Sequence, residues 1–129
     1  MTSSKQAPSS NIQTASLYDL HDRTLAFALR VREFVKKLPK SIPNFEYARQ
    51  LIRSSGSIGA NYIEANEALS KKDFALRVKI CRKESKETKY WLALVDVGAD
   101  AELDTERKAL WAESGEYVKI FSSMVNKAA

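Results

Sequence analysis

The sequence predicts an all-α protein, an up-down-up-down antiparallel four-helix bundle, on three observations. Apolar residues recur in four separate stretches at alternating spacings of four and three, the period of one helical face. Only three Pro and four Gly occur in 129 residues, and β-branched alternation is almost absent. The stretches are long and their connections short, which makes successive helices antiparallel neighbours.

The first helix is expected from Leu17 to Leu38. Its seam is Leu20, Thr24, Phe27, Val31, Phe34 and Leu38, and Pro39 and Pro43 bracket the connection that follows. Asn44 or Ser41 could cap the second helix. Its seam reads Ala48, Ile52, Ser55, Gly59 and Tyr62, broadened by Phe45, Leu51 and Ile58. A break is expected near Ala68–Lys71, where Ser70 and Asp73 have the spacing of a capping box. The third helix carries Phe74, Val78, Cys81, Ser85, Thr88, Leu92 and Val95, and Gly98 is a plausible C-terminal stop. Asp104 is expected to open the fourth, with Leu103, Leu110, Ser114, Tyr117, Phe121 and Met124 on its seam. Residues 1–15, polar and without periodicity, read as a disordered tail, which leaves residues 16–129 as the bundle domain.

Composition narrows the function classes. Apolar residues make up 44% of the chain, ordinary for a globular protein that buries a core. No apolar run approaches the ~20 residues that cross a bilayer, and the N-terminal residues lack the apolar segment of a secretory signal. A single cysteine, Cys81, forbids an intrachain disulfide and fits a reducing, cytoplasmic setting. The net charge of +5 permits an anionic partner without requiring one.

Enzyme chemistry finds little support. The only histidine is His21, so the paired Glu-x-x-His motifs of di-metal bundles cannot be built. No metal or cofactor is expected. Cys81 lies on a helical seam and reads as a core thiol, and His21 as a solvent-facing or capping residue. The run from Arg53 to Asn61 contains Gly56 and Gly59, but it lacks the spacing and the lysine of a phosphate-binding loop. Its small residues suit close helix approach instead.

Three constellations remain. Arg53, Asn61, Glu64, Glu84 and Glu87 could meet between antiparallel helices as a structural polar network, with Arg53 paired to a carboxylate. Paired carboxylates for acid–base work are the weaker reading. Residues 71–89 hold eight basic residues against three acidic ones, whereas residues 100–116 hold six acids and two bases. Lys72, Lys79, Arg82, Lys83 and Lys86 fall on one side of the third helix, bordered by Lys89, and suit phosphate contacts. Ile80, Trp91 and Leu94 point away from that helix's seam, so a second buried face, an oligomer interface, is expected. Trp111 is similarly off its seam. A wide intramolecular core is the alternative.

Residues from about Tyr18 to Val125 resemble the four-helix-bundle proteins encoded in intervening sequences of bacterial 23S rRNA genes. The resemblance is carried by Arg53, the run Ser57-Ile58-Gly59-Ala60-Asn61, Glu64, Lys72-Asp73-Phe74, Glu84, Glu87 and Tyr90-Trp91-Leu92. Many relatives have Pro at the position of Gly59 and Gly at that of Ala65. The resemblance implies a left-handed bundle, a bacterial protein and a ring-like homopentamer, and it supplies no catalytic residues. The architecture is also similar to the accessory protein of diversity-generating retroelements, a basic pentamer that binds nucleic acid, which suggests a nucleic-acid role by analogy. The function expected is therefore non-enzymatic: an oligomeric bundle that binds structured RNA or other nucleic acid through its basic face. The alternative is a protein–protein scaffold whose charges keep it soluble.

Overall fold

The computed structural model describes the backbone of residues 12–128 and the side chains of residues 20–127. The tail expected over residues 1–15 lies, for residues 1–11, outside the described ones. Four helices follow in order: α1 (Ile12–Lys36), α2 (Ile42–Asn66), α3 (Lys71–Leu94) and α4 (Ala101–Ala128). α1 begins before the expected Leu17, because a helix propagates past its apolar seam at one hydrogen bond per residue.

Local chemistry sets the other starts. Ser41 caps α2 by accepting from Asn44 N at 3.2 Å, and Pro43 occupies the first turn, where its missing N–H costs nothing. Ser70 caps α3 by accepting from Asp73 N at 3.1 Å. α4 starts at Ala101 rather than at Asp104, since the Asp100 carboxylate accepts from Leu103 N at 3.0 Å. Asp104 sits inside the helix and pairs with Arg107 at 2.7 Å and with Lys108 at 3.2 Å. Gly98 lies in the α3–α4 turn at φ 67°, a conformation that favours glycine.

Asn44 takes a different part from the capping role considered for it. It is buried, and its amide nitrogen donates to Pro39 O at 2.8 Å and to Asp96 O at 2.9 Å. Its side-chain oxygen accepts from Asp96 N at 3.0 Å. One side chain thus ties the α1–α2 connection to the α3–α4 connection at the same end of the bundle.

The core forms where the seams meet. Leu20, Thr24, Phe27, Val31, Phe34 and Leu38 of the first seam are all buried, as are Val78, Cys81, Ser85, Thr88, Leu92 and Val95 of the third and Leu103, Leu110, Ser114, Tyr117 and Phe121 of the fourth. α2 is rotated from the expected seam. Its buried residues are Asn44, Leu51, Ser54, Ser55, Ile58, Tyr62 and Ala65, while Phe45 and Ile52 remain 54% and 42% exposed. α2 packs far more extensively on α3 than on α1, and that turns its Ser54–Ile58 edge inward. Small side chains let this contact close: the Thr88 hydroxyl donates to Ser54 Oγ at 2.8 Å, and the Cys81 thiol lies 3.5 Å from Ile58 O. The seam between α1 and α4 is the least extensive of the four.

Candidate nucleic-acid interface

On the α2–α3 face, Arg53 lies between two carboxylates. Its Nη2 donates to Glu87 Oε1 at 2.9 Å, and its Nη1 stands 3.4 Å from Glu84 Oε1. The Glu84 side chain is only 8% exposed, so the Arg53 charge offsets a desolvation that would otherwise be costly. Asn61 is bonded elsewhere, donating to Ser57 O at 2.9 Å and standing 3.5 Å from Arg77 Nη1. Glu64 is exposed and belongs to none of the ion pairs among the described residues. The arrangement holds α2 against α3; it leaves no pair of carboxylates poised around open space.

A second charged cluster closes α1 on α4, between residues too far apart in the chain for spacing to reveal. Arg30 Nη1 donates to Glu113 at 2.7 Å and its Nε lies 3.7 Å from Glu106. Arg23 pairs with Glu113 at 3.3 Å and with Glu116. The Tyr117 hydroxyl, on the same cluster, donates to Glu113, with Arg23 O a second acceptor 3.2 Å away. Burial first, and the hydrogen bond to Glu113 second, push the Tyr117 phenol far up, so it stays protonated. Three of the six acids that residues 100–116 contribute are therefore engaged by α1.

The basic residues of α3 have no such neighbours. Lys72, Lys79, Lys83 and Lys86 are exposed and Arg82 is half-buried. Among the described residues only Lys83 of these five enters an ion pair, at 3.9 Å from Glu84. The spacing 72, 79, 86 repeats every two turns, which sets successive ammonium stems about 10 Å apart along the helix. Lys89, at the border of this stripe, turns toward α4 and places Nζ 4.1 Å from the centroid of the Trp111 ring.

The expected second apolar face is mixed. Leu94 is 38% exposed. Ile80 is half-buried, and Trp91 packs against the core with its ring 6.2 Å from Tyr47 and 5.3 Å from Tyr90. The Trp91 Nε1 is buried with no hydrogen-bond partner in the structure. A further apolar surface lies on the outer flank of α2: Phe45, Ala48, Arg49 and Ile52 line an open groove of about 500 Å³. Helical spacing shows this flank once the inward edge is known, but the sequence pattern does not choose between the two edges.

His21 is exposed, 3.4 Å from Asp22. Burial pushes the Cys81 thiol up to about 12, which makes it a packing residue rather than a nucleophile. Among the described residues no group of His, Cys, Asp or Glu is placed to hold a metal ion, and no helix is long and apolar enough to cross a membrane.

Residues 18–105 match a protein family described as 23S rRNA-intervening sequence protein. A crystal structure of a protein of unknown function, from the S23 ribosomal protein family of Bacteroides thetaiotaomicron, is similar in fold and sequence. It is 32% identical, covers 81% of this chain and 96% of its own, and superposes with a TM-score of 0.68. No curated protein matches the chain.

Proposed function

We propose a non-enzymatic, oligomeric, nucleic-acid-binding role for this chain, which belongs to the 23S rRNA-intervening sequence protein family. The target in this reading is structured RNA, held through phosphates by Lys72, Lys79, Arg82, Lys83 and Lys86. One observation carries it. Glu106, Glu113 and Glu116 of α4 are paired with Arg23 and Arg30, while Lys72, Lys79, Arg82 and Lys86 stand along one side of α3 with no carboxylate partner among the described residues. A fold that merely needed solubility would gain more from interspersed signs than from segregating them. Unpaired cations at regular spacing release counterions when they meet phosphates, and each neutralised phosphate makes log K fall by about 0.9 per decade of salt.

An oligomer multiplies this effect, because several copies of a weak stripe act together. Such contacts position an RNA without reading its sequence. The test is a titration of the oligomer with a folded RNA at about 50 mM and about 200 mM salt. Wild type is expected to bind at the lower concentration and to lose most of its affinity at the higher one. Lys79→Glu/Lys83→Glu/Lys86→Glu is expected to abolish binding while the oligomer persists. A triple variant that still binds as well as wild type removes the α3 stripe from the site. A wild type that does not bind at low salt leaves the scaffold reading, which the open apolar groove beside Phe45 and Ile52 would then favour.

A further inference from the structure

The Trp111 side of the basic face differs from the rest of the surface. Trp111 is 42% exposed although it neighbours α3, and Lys89 holds its ammonium 4.1 Å from the ring centroid, covering one face of the indole. Gly115, one turn further along α4, leaves the room this requires: a Cβ there would lie 3.3 Å from Lys89 Nζ. The cation–π contact occupies one face of the ring and fixes its orientation, while 42% of the residue stays exposed to solvent. Further cations lie along the same two helices. Arg82 and Lys86 lie one to two turns before Lys89 on α3, and exposed Lys119 lies two turns after Trp111 on the same flank of α4.

We infer that the uncovered face of Trp111 stacks an unpaired nucleobase, so that the RNA this face prefers carries a bulged or looped-out nucleotide beside a paired segment. A fixed, partly exposed indole with cations further along the same helices is what base stacking requires: a π-face for the base, and positive charge for its phosphates. An uninterrupted duplex hides its base faces and offers the ring nothing. Were the Lys89–Trp111 contact only a staple between α3 and α4, a buried residue would serve it better than one that is 42% exposed.

The inference rests on the nucleic-acid reading above, and its test separates the two. The probes are two RNA hairpins of equal length and charge, one fully paired and one with a single-nucleotide bulge, titrated at the same salt. Wild type is expected to bind the bulged hairpin at least about five-fold more tightly, the lower end of what stacking one base on an aromatic ring is worth. Trp111→Ala is expected to erase that preference and leave the affinity for the paired hairpin unchanged. Trp111→Phe keeps an aromatic face and is expected to retain most of the preference. The chain has two tryptophans, so the bulged hairpin should quench wild-type fluorescence and leave that of Trp111→Phe, which reports on Trp91 alone, nearly unaltered. Equal affinity of wild type for both hairpins overturns the inference and leaves the phosphate stripe standing. So does a Trp111→Ala variant, folded by circular dichroism, that weakens both hairpins alike. Failure of wild type to bind either hairpin overturns both readings.

Discussion

Gly59 of α2 faces Thr24 of α1 so closely that an added Cβ would lie 2.9 Å from the Thr24 hydroxyl oxygen and 3.4 Å from its Cβ. Thr24 is 1% exposed, and its hydroxyl donates to His21 O at 3.0 Å, so it has no free direction in which to swing. Gly59→Ala would gain up to about 1 kcal/mol of helix propensity and lose about 1–3 kcal/mol to overpacking. The expected result is a lower urea midpoint. Gly56, on the same helix, has nothing within 4 Å of a built Cβ, so Gly56→Ala should raise the midpoint by about 0.5–1 kcal/mol of stability. Equal shifts from the two substitutions would mean that the α1–α2 approach does not depend on Gly59. A double-mutant cycle with Thr24→Ala should show coupling above about 0.5 kcal/mol.

Arg53 and Glu84 give a second measurable contrast. Arg53 is half-exposed, and Glu84 is not. Arg53→Met leaves the Glu84 carboxylate with only Lys83 near it, at 3.9 Å. The expected loss is about 1–3 kcal/mol, the cost of a buried carboxylate, whose Oε1 has no hydrogen-bond donor, deprived of its counter-charge. Arg49→Met, which removes an exposed pair to Glu46 at 3.6 Å, should cost less than about 0.5 kcal/mol. Adding Glu84→Gln to Arg53→Met should recover part of the loss. Matching denaturation curves for the two single variants would show that the α2–α3 pair contributes nothing.

The seams of α1, α3 and α4 were legible because spacing, not hydrophobicity, marks a buried face. Thr24, Ser85, Thr88 and Ser114 are polar, yet they fall on the four-three repeat and are buried. α2 was misread because it is apolar on two flanks. Leu51, Ile58 and Ala65 line one and Phe45, Ile52 and Ile63 the other, and only packing on α3 selects the first. Ser41, one of the two expected candidates, caps α2, and the part Asn44 plays instead was hidden for a related reason: its partners Pro39 O and Asp96 O belong to two separate connections, and a residue's own neighbours do not reveal them. The α1–α4 ion pairs join residues 76 to 93 positions apart, beyond the reach of any periodic pattern. The basic stripe was visible as composition, but its lack of carboxylate partners is a property of the folded chain alone.

Cys81 makes stability depend on alkaline pH. Burial raises its folded pKa to about 12 from an ordinary 9.0. Between these values the unfolded chain has released the thiol proton and the folded chain retains it. The unfolded state therefore binds fewer protons, and stability falls as pH rises through that window. Below pH 9.0 the thiol contributes no pH dependence, since both states hold the proton. Wild type should accordingly lose more stability between about pH 8 and pH 11 than Cys81→Ala does, whatever the shared effect of the lysines. Parallel pH profiles for the two would refute the thiol's part. Thiol labelling of native wild type at pH 8 should likewise be slow and should accelerate only as urea opens the bundle.

The last prediction concerns assembly, and the structure changes how it should be tested. Trp91 packs on Tyr47 and on the core, so an acidic substitution there would unfold the chain as readily as it would break an interface. Leu94, 38% exposed, is the cleaner probe of the α3 face. That face has a specific reason to meet another protein surface: Tyr90, 60% exposed, stands beside Leu94 on it, apolar area that an interface would take out of water. Leu94→Asp is expected to lower the mass measured by light scattering while circular dichroism still reports a folded helical chain. Phe45→Asp/Ile52→Asp, on the groove-lined flank of α2, is the control for the other exposed apolar surface. If only this second variant dissociates, the subunits meet through α2 and the α3 assignment is wrong. A wild type that stays monomeric at micromolar concentration ends the oligomeric reading for both faces, and with it the gain in avidity from which a stripe of separately weak phosphate contacts would draw its affinity.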